Sequence, residues 1–437
     1  MLRRSVFSKA AIALSLAAAA FSGPIGAGGR ARPPGKSAAM PLPSHGPNAV
    51  SRWNEVAFAT IHGGAAMPAV TPEEKRPLWV IDLATLHLAI YDAVNAIDGT
   101  YEPFAVVPAA PVAGASAEAA ATAAAYGVLQ GLFPNRAQLY QATYESILAG
   151  LPEGDAKARG LAVGAEVAAG IVALRANDGR AVRLPAYFPG KTPGAFRGVE
   201  PEARVLPFIR PFTLIDAAQF HAAGPPPLDS AAYAAAFDEV RELGSRVSVQ
   251  RTPQQTETAR FHAEAPPTYW ARNLRQFAMS QPTLAENARL SALIWVSLAD
   301  SAIGCFESKY RFLFWRPASA IPLAAADGNE ATRAEPGWEP LGPVPDHPEY
   351  PAAHACLSAS LEETLRSHFG TGNLSFAFDS TLSGSAHPYD SLAQMAEETQ
   401  LARIWGGMHF RPSLVDGAAL GRSTSRWVSE HRFRPRG

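Results

Sequence analysis

The sequence predicts an all-α fold, a bundle of helices joined by long irregular loops. Segment 76–97 carries apolar residues at three- and four-residue spacing, the pattern of a helix that buries one face. Alanine dominates segments 115–133 and 155–179, and alanine has the highest helix propensity and lets helices pack closely. Strand patterns are few. Together these observations indicate the helical class.

The helices predicted in the first half of the chain are 76–97, 115–133, 136–151 and 155–179. From Leu184 to Pro227 the sequence is rich in Pro, Gly and Phe and has little periodicity. We therefore expect a long irregular excursion over the surface, which covers part of the functional site.

The helices predicted in the second half are 230–245, 252–264, 284–316, 352–369, 391–405 and 413–430. Pro317 is expected to end the long helix, because proline disrupts a helix interior. Lys309 and Arg316 are seven residues apart, so both would project from one face of that helix.

A loop rich in Pro, Gly and Asp is expected at 322–349. Pro351 suits the first turn of the next helix, where its missing N–H costs nothing. His354 would then lie in a first turn, where free N–H groups favour an anion. Gly406 and Gly407 should break or bend the helix 391–405 before the last helix begins.

The chain is divided by composition into four segments. These are an export signal at 1–27, a Pro/Gly-rich linker at 28–49, a helical region at 50–183 and a catalytic helical region at 184–437, the last two expected to form one continuous domain. Arg3, Arg4 and Lys9 precede a short apolar run, which is typical of export to the periplasm or outside the cell. The paired arginines leave the twin-arginine route open. An uncleaved anchor is the alternative, but the run is short for a span, and we expect no membrane span in the mature chain.

Composition limits the classes of partner. The 437 residues, 47% of them hydrophobic, can bury one large core or two ordinary ones. A net charge of −1 suggests neither a basic nucleic-acid surface nor an acidic tail, so no nucleic-acid partner is expected. Cys305 and Cys356 could pair in an oxidising compartment, and two buried free thiols are the alternative.

Five basic side chains in the last third of the chain form the candidate site. Lys309, Arg316 and Arg403 suit a tetrahedral oxyanion, because guanidinium and ammonium groups match its oxygens. His354 and His409 can supply a nucleophile or ligand and a general acid/base. The pattern predicts a site for phosphate or a phosphate analogue.

The other histidines show no partner spacing, and no competing zinc or phosphate-loop motif is present in the sequence. We interpret them as structural: His62, His87, His221, His262, His368, His387 and His431.

Three motifs in this order, Lys-x6-Arg-Pro, Pro-x-x-His and Arg-x5-His, resemble the superfamily of vanadium-dependent haloperoxidases and type 2 phosphatidic acid phosphatases. The stretches RTPQQTETARF, KYRFLFWRPASAI and RIWGGMHFRP resemble exported bacterial members of the haloperoxidase side. The resemblance extends from about residue 50 onwards. It implies the helical bundle of that superfamily.

The resemblance also implies a role for each basic side chain. Lys309, Arg316 and Arg403 would hold the equatorial oxygens of the oxyanion. His409 would be the ligand of vanadate or the nucleophile toward a phosphoryl group, and His354 the acid/base. One site can serve both chemistries, because five-coordinate vanadate resembles the transition state of phosphoryl transfer.

The turn that is usually Pro-Ser-Gly-His in the superfamily is Pro351-Ala352-Ala353-His354 in this chain. The missing serine hydroxyl removes one hydrogen bond to the anion, roughly 1.5–3 kcal/mol if that bond is charge-assisted. The N–H of Ala353 remains an oxyanion donor if its φ is negative.

Ser413 occupies the position, four residues after His409, where the phosphatase pattern has an aspartate that orients the histidine. We therefore expect no carboxylate behind His409 on this helix, and Asp300 and Asp346 are the distant candidates to replace it. His347 lies where relatives often carry an aromatic residue or a histidine near the oxidised anion, so it is a candidate halide-site residue. A solvent-exposed loop histidine is the alternative.

Three functions follow from these expectations. The first is an exported vanadate-dependent haloperoxidase-like enzyme that oxidises a halide with hydrogen peroxide. The second is an exported acid phosphatase that hydrolyses a phosphate ester through a phosphorylated His409, with phosphate in the place of vanadate. The third is a relative that binds an oxyanion without catalysis. The sequence does not determine the halide or the oligomeric state.

Overall fold

The structure, a computed structural model, describes residues 39–62 and 78–436. The predicted export signal 1–27 and the first part of the linker, up to residue 38, lie outside the described residues. The helices are α1 Ala49–His62, α2 Trp79–Asp98, α3 Ala117–Leu132, α4 Ala137–Ala149, α5 Asp155–Arg175, α6 Ala231–Leu243, α7 Pro253–Phe261, α8 Pro266–Asn273, α9 Arg275–Met279, α10 Leu284–Phe312, α11 Pro317–Ala320, α12 Ala353–Phe369, α13 Leu392–Trp405 and α14 Arg411–His431. The strands are β1 Met40–Pro41, β2 Leu374–Ser380 and β3 Ser385–Tyr389.

The long helix α10 is the centre of the bundle. It packs against α2 on one side and against α12 and α14 on others, while α3 packs between α2 and α5. Thr283 caps its start by accepting a hydrogen bond from the N–H of Glu286. The all-α prediction is therefore confirmed for the bulk of the described chain.

Helices α2 and α10 are long and apolar enough to cross a membrane by length and composition. In both, 89% of the most apolar window is buried inside the fold. Apolar residues on every side of these helices are what a central core helix requires.

Small residues allow the helices to approach closely, as the alanine content predicts. A Cβ on Gly164 of α5 would lie 2.2 Å from the carbonyl oxygen of Ala120 on α3. A Cβ on Gly421 of α14 would lie 2.0 Å from the carbonyl oxygen of Cys356 on α12. The second contact brings α12, with His354 in its first turn, against α14, which begins two residues after His409.

A small sheet has the order β1-β2-β3, with β2 and β3 antiparallel and Phe376 opposite Tyr389. Leu374, Phe376, Phe378 and Ser380 are buried on one face, alternating with more exposed residues. This period-two pattern is visible in the sequence, but the prediction of helices and loops overlooked it.

Two predicted helix boundaries are wrong. Helix α10 ends at Phe312, because Leu313 adopts a left-handed conformation with φ 47°. Arg316 therefore does not share a helix face with Lys309; it precedes α11, and Pro317 begins that helix rather than ending α10. Pro351 does not lie in the first turn of α12 but follows a cis peptide bond from Tyr350.

Other boundaries agree with the predictions. His354 lies in the first turn of α12. Helix α13 ends at Trp405, and Gly407 has φ 76°, a conformation that glycine adopts at little cost. The irregular excursion hydrogen-bonds the segments on either side of the site: the N–H of Phe196 donates to Leu313, and the N–H of Glu202 donates to Asp346.

Candidate oxyanion site

Lys309, in the last turn of α10, is completely buried. Its Nζ donates to the carbonyl oxygens of Pro348 at 2.8 Å, Glu349 at 3.1 Å and Pro351. Burial and the charge of Arg316 hold the pKa of Lys309 well below its usual value. The lysine thus fixes the segment before α12 against the end of α10.

Arg316 connects two loops that the sequence separates. Its Nε donates to the carbonyl oxygen of His347 at 2.9 Å, and Nη2 donates to Nδ1 of the same residue at 2.9 Å. Its Nη1 donates to the carbonyl oxygen of Met408 at 2.9 Å and to Nε2 of His409 at 3.0 Å. Burial lowers the pKa of Arg316 to about 10, so the guanidinium remains charged at neutral pH.

His347 is buried, so its interpretation as a solvent-exposed loop histidine is wrong. Its ring lies 5.2 Å from that of Phe306, between centroids. Burial, together with the charges of Lys309 and Arg316, holds the pKa of His347 well below its usual value. The candidate halide-site residue His347 is therefore a neutral imidazole beside Arg316.

The hydrogen bonds of His409 determine its tautomer. An arginine can only donate, so the Nε2 that faces Arg316 must be the acceptor nitrogen of a neutral ring. The other nitrogen, Nδ1, then carries the proton and donates it to Oε1 of Glu349 at 3.0 Å. Burial and the charges of Arg316 and Lys309 hold the pKa of His409 well below its usual value, which keeps the ring neutral. The lone pair of Nε2 is thus directed toward the cationic groups.

Glu349 supplies the carboxylate that we expected to be missing behind His409. Its Oε1 also accepts the N–H of Phe410 at 2.9 Å, and its Oε2 accepts the hydroxyl of Ser413 at 2.6 Å. Burial raises the pKa of Glu349 to about 7, although these hydrogen bonds and Arg316 oppose the shift. Glu349 thus provides the carboxylate beside His409, and Ser413, at the position of the aspartate in the phosphatase pattern, helps to hold it.

The two carboxylates considered as replacements lie elsewhere. Asp300 accepts hydrogen bonds from the backbone and hydroxyl of Thr213, and Asp346 accepts the N–H of Glu200. The sequence held one signal for Glu349: it lies two residues before Pro351, in the Pro-x-x-His segment. Its 60-residue separation from His409 gave no spacing to recognise.

Arg403, in the last turn of α13, is 2% exposed. Its Nη1 donates to the carbonyl oxygen of His262 at 3.2 Å, and Nη2 contacts the sulfur of Met408. Its Nε is buried and has no hydrogen-bond partner among the described residues. Burial and the charge of Arg316 lower the pKa of Arg403 to about 9. The unpartnered N–H is a donor that a bound oxyanion would satisfy.

His354 is partly buried, and its ring forms no hydrogen bond within the described part of the chain. Burial and the charge of Arg403 hold the pKa of His354 well below its usual value. No side chain caps the start of α12. Ala353 has negative φ, the condition under which its N–H can donate to an oxyanion. The first-turn N–H groups of α12 are therefore available to an anion.

A disulfide bond joins Cys305 on α10 to Cys356 on α12, with Cα atoms 6.4 Å apart. Of the two alternatives from the sequence, the structure therefore has the disulfide. It lies one turn before Lys309 and two residues after His354. The bridge links the two helices that carry these site residues.

The charges of the site define the ligand that fits it. Lys309, Arg316 and Arg403 are buried, and the buried carboxylate of Glu349 lies close to them. Burial is the main cause that lowers the pKa of all three cations, and Arg316 also lowers the pKa of Lys309 and Arg403, so a bound anion would stabilise their charged forms. A multiply charged oxyanion would supply this negative charge and the missing acceptor. The residues present thus fit vanadate or phosphate, and this cluster is the candidate oxyanion site.

The comparisons with known proteins agree with this assignment. The family model described as the VCPO second helical-bundle domain matches residues 289–435, which contain every site residue named above except His262. The vanadium chloroperoxidase of Curvularia inaequalis is 26% identical over 149 residues. That alignment covers 28% of this chain and 24% of the relative, so the chain matches about a quarter of the relative's length.

Two solved structures share the fold over most of the chain. A bacterial vanadium-dependent iodoperoxidase has a TM-score of 0.70 at 21% identity, covering 89% of this chain and 95% of that one. A bacterial vanadium-dependent chloroperoxidase in its holo form has a TM-score of 0.67 at 14% identity, covering 91% and 98%. The comparisons thus support the likeness to the superfamily of vanadium haloperoxidases and related phosphatases that the motifs indicate, and the fold is shared over most of the chain.

Proposed function

We propose that the protein is a vanadate-dependent haloperoxidase, which converts hydrogen peroxide, a halide and a proton to hypohalous acid and water. The observation that carries this proposal is His409, whose Nε2 lone pair faces the cationic groups while Glu349 holds its Nδ1 proton. A neutral, oriented imidazole is what ligation through nitrogen requires. The likeness to known vanadium haloperoxidases supports this choice of oxyanion.

Each side chain of the candidate site would have its own role in this reaction. Lys309, Arg316 and Arg403 hold and neutralise the oxyanion, and His409 ligates it. When bound, vanadate supplies Lewis acidity that polarises the peroxide. His354 is neutral and uncommitted to other hydrogen bonds, so it can accept a peroxide proton and return it to the leaving oxygen. His347 beside Arg316 would border the halide.

A second candidate is an acid phosphatase with a phosphohistidine at His409. The absence of an aspartate at Ser413 argued against it, but Glu349 now supplies the carboxylate that orients the nucleophile. His354 would protonate the leaving alcohol. The two functions need the same side chains and differ in the oxyanion that is retained.

A paired assay separates them. Purified protein is incubated with and without orthovanadate, and bromide- or iodide-dependent dye halogenation by peroxide is followed beside p-nitrophenyl phosphate hydrolysis. Halogenation that needs vanadate and disappears in His409→Ala supports the peroxidase. Phosphate release that vanadate inhibits, with phosphate trapped on His409 by acid quench, supports the phosphatase. Oxyanion binding without either activity would support the third function, a relative that binds an oxyanion without catalysis.

We also propose that the protein is exported and functions in the periplasm or outside the cell. The N-terminal pattern of charges and apolar residues supports export, and so does the Cys305–Cys356 disulfide, which persists in oxidising compartments. Fractionation of cells expressing the full chain checks it: mature protein with the N-terminus removed should appear outside the cytoplasm. Full-length protein confined to the cytoplasm would contradict it.

A further inference from the structure

A second cluster of ligand-type side chains lies next to the oxyanion site. Nε2 of His262 is 3.0 Å from Oε1 of Glu398, and Nδ1 of His387 is 2.7 Å from the same oxygen. The three ligand atoms all lie within 4.8 Å of one another. His262 follows α7, His387 is on β3 and Glu398 is on α13, so the fold assembles this cluster from distant segments. The spacing in the sequence indicated no partner for either histidine, and the structure brings Glu398 to both.

The surroundings of this cluster hold its side chains in place. The far nitrogen of His387, Nε2, lies 2.8 Å from Oε2 of Glu257, and Ser385 donates to the other oxygen of that glutamate at 2.6 Å. The hydroxyl of Tyr389 donates to Oε1 of Glu398 at 2.7 Å. A histidine that is backed by a carboxylate on its far nitrogen is typical of metal ligands, because the carboxylate fixes the ring and its tautomer.

We propose that His262 Nε2, His387 Nδ1 and Glu398 Oε1 bind a divalent transition-metal ion, with zinc the best fit. Two imidazoles and one carboxylate are a donor set that zinc accepts, with water as the fourth ligand. Ligands around a tetrahedral zinc are about 3.3 Å apart, so the two histidine nitrogens would each move away from Oε1 of Glu398 by roughly 0.3 to 0.6 Å. The side chains of His387 and Glu398 are 15% and 24% exposed, which gives an ion and its water access.

The ion would act on the neighbouring site through Arg403. Glu398 and Arg403 lie five residues apart on α13, and the carbonyl oxygen of His262 accepts a hydrogen bond from Arg403 Nη1. The metal would thus join α13, which carries Arg403, to the segment of His262, which accepts its hydrogen bond. Its role would be to position Arg403, and the ion itself would not contact the oxyanion.

The first test uses the wild-type protein, purified without a histidine tag and treated with a chelator. Zinc chloride is titrated in by calorimetry, and cobalt(II) is added separately to record its visible spectrum. We expect one zinc per chain with micromolar or tighter affinity, an increase in thermal stability and the absorption bands of four-coordinate cobalt. Absence of saturable zinc binding at micromolar concentration would overturn the proposal and leave the cluster as a hydrogen-bond network.

Variants locate the ion. His387→Gln and Glu398→Gln should lower zinc affinity at least ~10-fold, whereas His221→Gln, which changes an exposed histidine elsewhere, should leave it unchanged. Glu257→Gln retains all three ligands and should lower the affinity about 10–100-fold. Circular dichroism checks folding of each variant. Wild-type affinity in folded His387→Gln and Glu398→Gln would place the zinc elsewhere and contradict the proposal.

Discussion

Glu349 accepts a hydrogen bond from His409 Nδ1 at 3.0 Å in a contact where both side chains are almost completely buried, although 60 residues separate them in the chain. The contact gives His409 one defined tautomer, with its Nε2 lone pair facing Arg316. It also replaces the aspartate that this chain lacks at position 413. The spacing of the motifs did not indicate this contact within the candidate oxyanion site.

Glu349→Gln should weaken vanadate binding and vanadate-dependent halogenation by about 10–100-fold, because the amide no longer orients and polarises His409 as a carboxylate does. Calorimetric titration with orthovanadate and steady-state assays measure the two effects. Glu339→Gln is the matched control, since that glutamate pairs with Arg246 at the surface. Equal affinities in both variants would show that Glu349 does not support the ligand.

Glu349 should also make stability depend on pH. Burial raises its pKa from 4.5 to about 7, so the folded protein keeps a proton that the unfolded chain releases earlier. Its contribution to stability is therefore present below about pH 4.5 and is lost as pH rises through about 7. Relative to wild type, Glu349→Gln should become more stable between these values and then level off. Thermal unfolding of both proteins from pH 4 to 8 checks the sign; a constant difference would be inconsistent with the raised pKa.

Arg316→Lys should lower oxyanion affinity about 10–100-fold, because an ammonium cannot replace the guanidinium that donates to His347, Met408 and His409 together. Phosphate and vanadate titrations measure the loss. The control is Arg411→Lys, which changes a half-exposed arginine paired with Glu239. If both substitutions have the same small effect, the bonds of Arg316 do not determine the affinity.

Reduction of the Cys305–Cys356 bond should lower the free energy of unfolding by about 2–5 kcal/mol, because the bridge closes a 51-residue loop of the unfolded chain. Thermal unfolding with and without dithiothreitol measures the change. The double variant Cys305→Ser, Cys356→Ser should resemble the reduced protein and should not respond to reductant. A wild-type protein that is equally stable in both conditions would argue that the bond does not form.

Ala352→Ser restores the hydroxyl that the superfamily usually has in this turn. Ala352 is the residue before α12 and provides no side-chain cap. A serine there should stabilise the helix by about 1 kcal/mol and strengthen oxyanion binding by up to ~10-fold. Unfolding and phosphate titrations measure the two effects separately. Weaker phosphate binding in a folded variant would mean that the buried turn has no room for the hydroxyl.

Local patterns accounted for much of this protein. Alanine-rich and three-to-four-residue periodic segments predicted α2, α3, α5 and α10, because helix propensity and an apolar face are properties of short stretches. The order of the basic motifs indicated the side chains of the candidate oxyanion site, and their role in binding stays a prediction. The β2–β3 hairpin was missed, although alternating burial along β2 is encoded in its sequence.

What the sequence determined by itself was the helical class and the side chains of the candidate site, Lys309, Arg316, Arg403, His354 and His409, since these depend on spacing within single segments. Only the tertiary structure showed that Glu349 lies behind His409 and that α10 ends before Arg316. It also brought His262 together with His387 and Glu398. The contacts of Glu349 with His409 and of His262 with Glu398 join residues that are 60 and 136 positions apart in the chain. Packing of the surrounding helices decides such contacts, and no local periodicity records them.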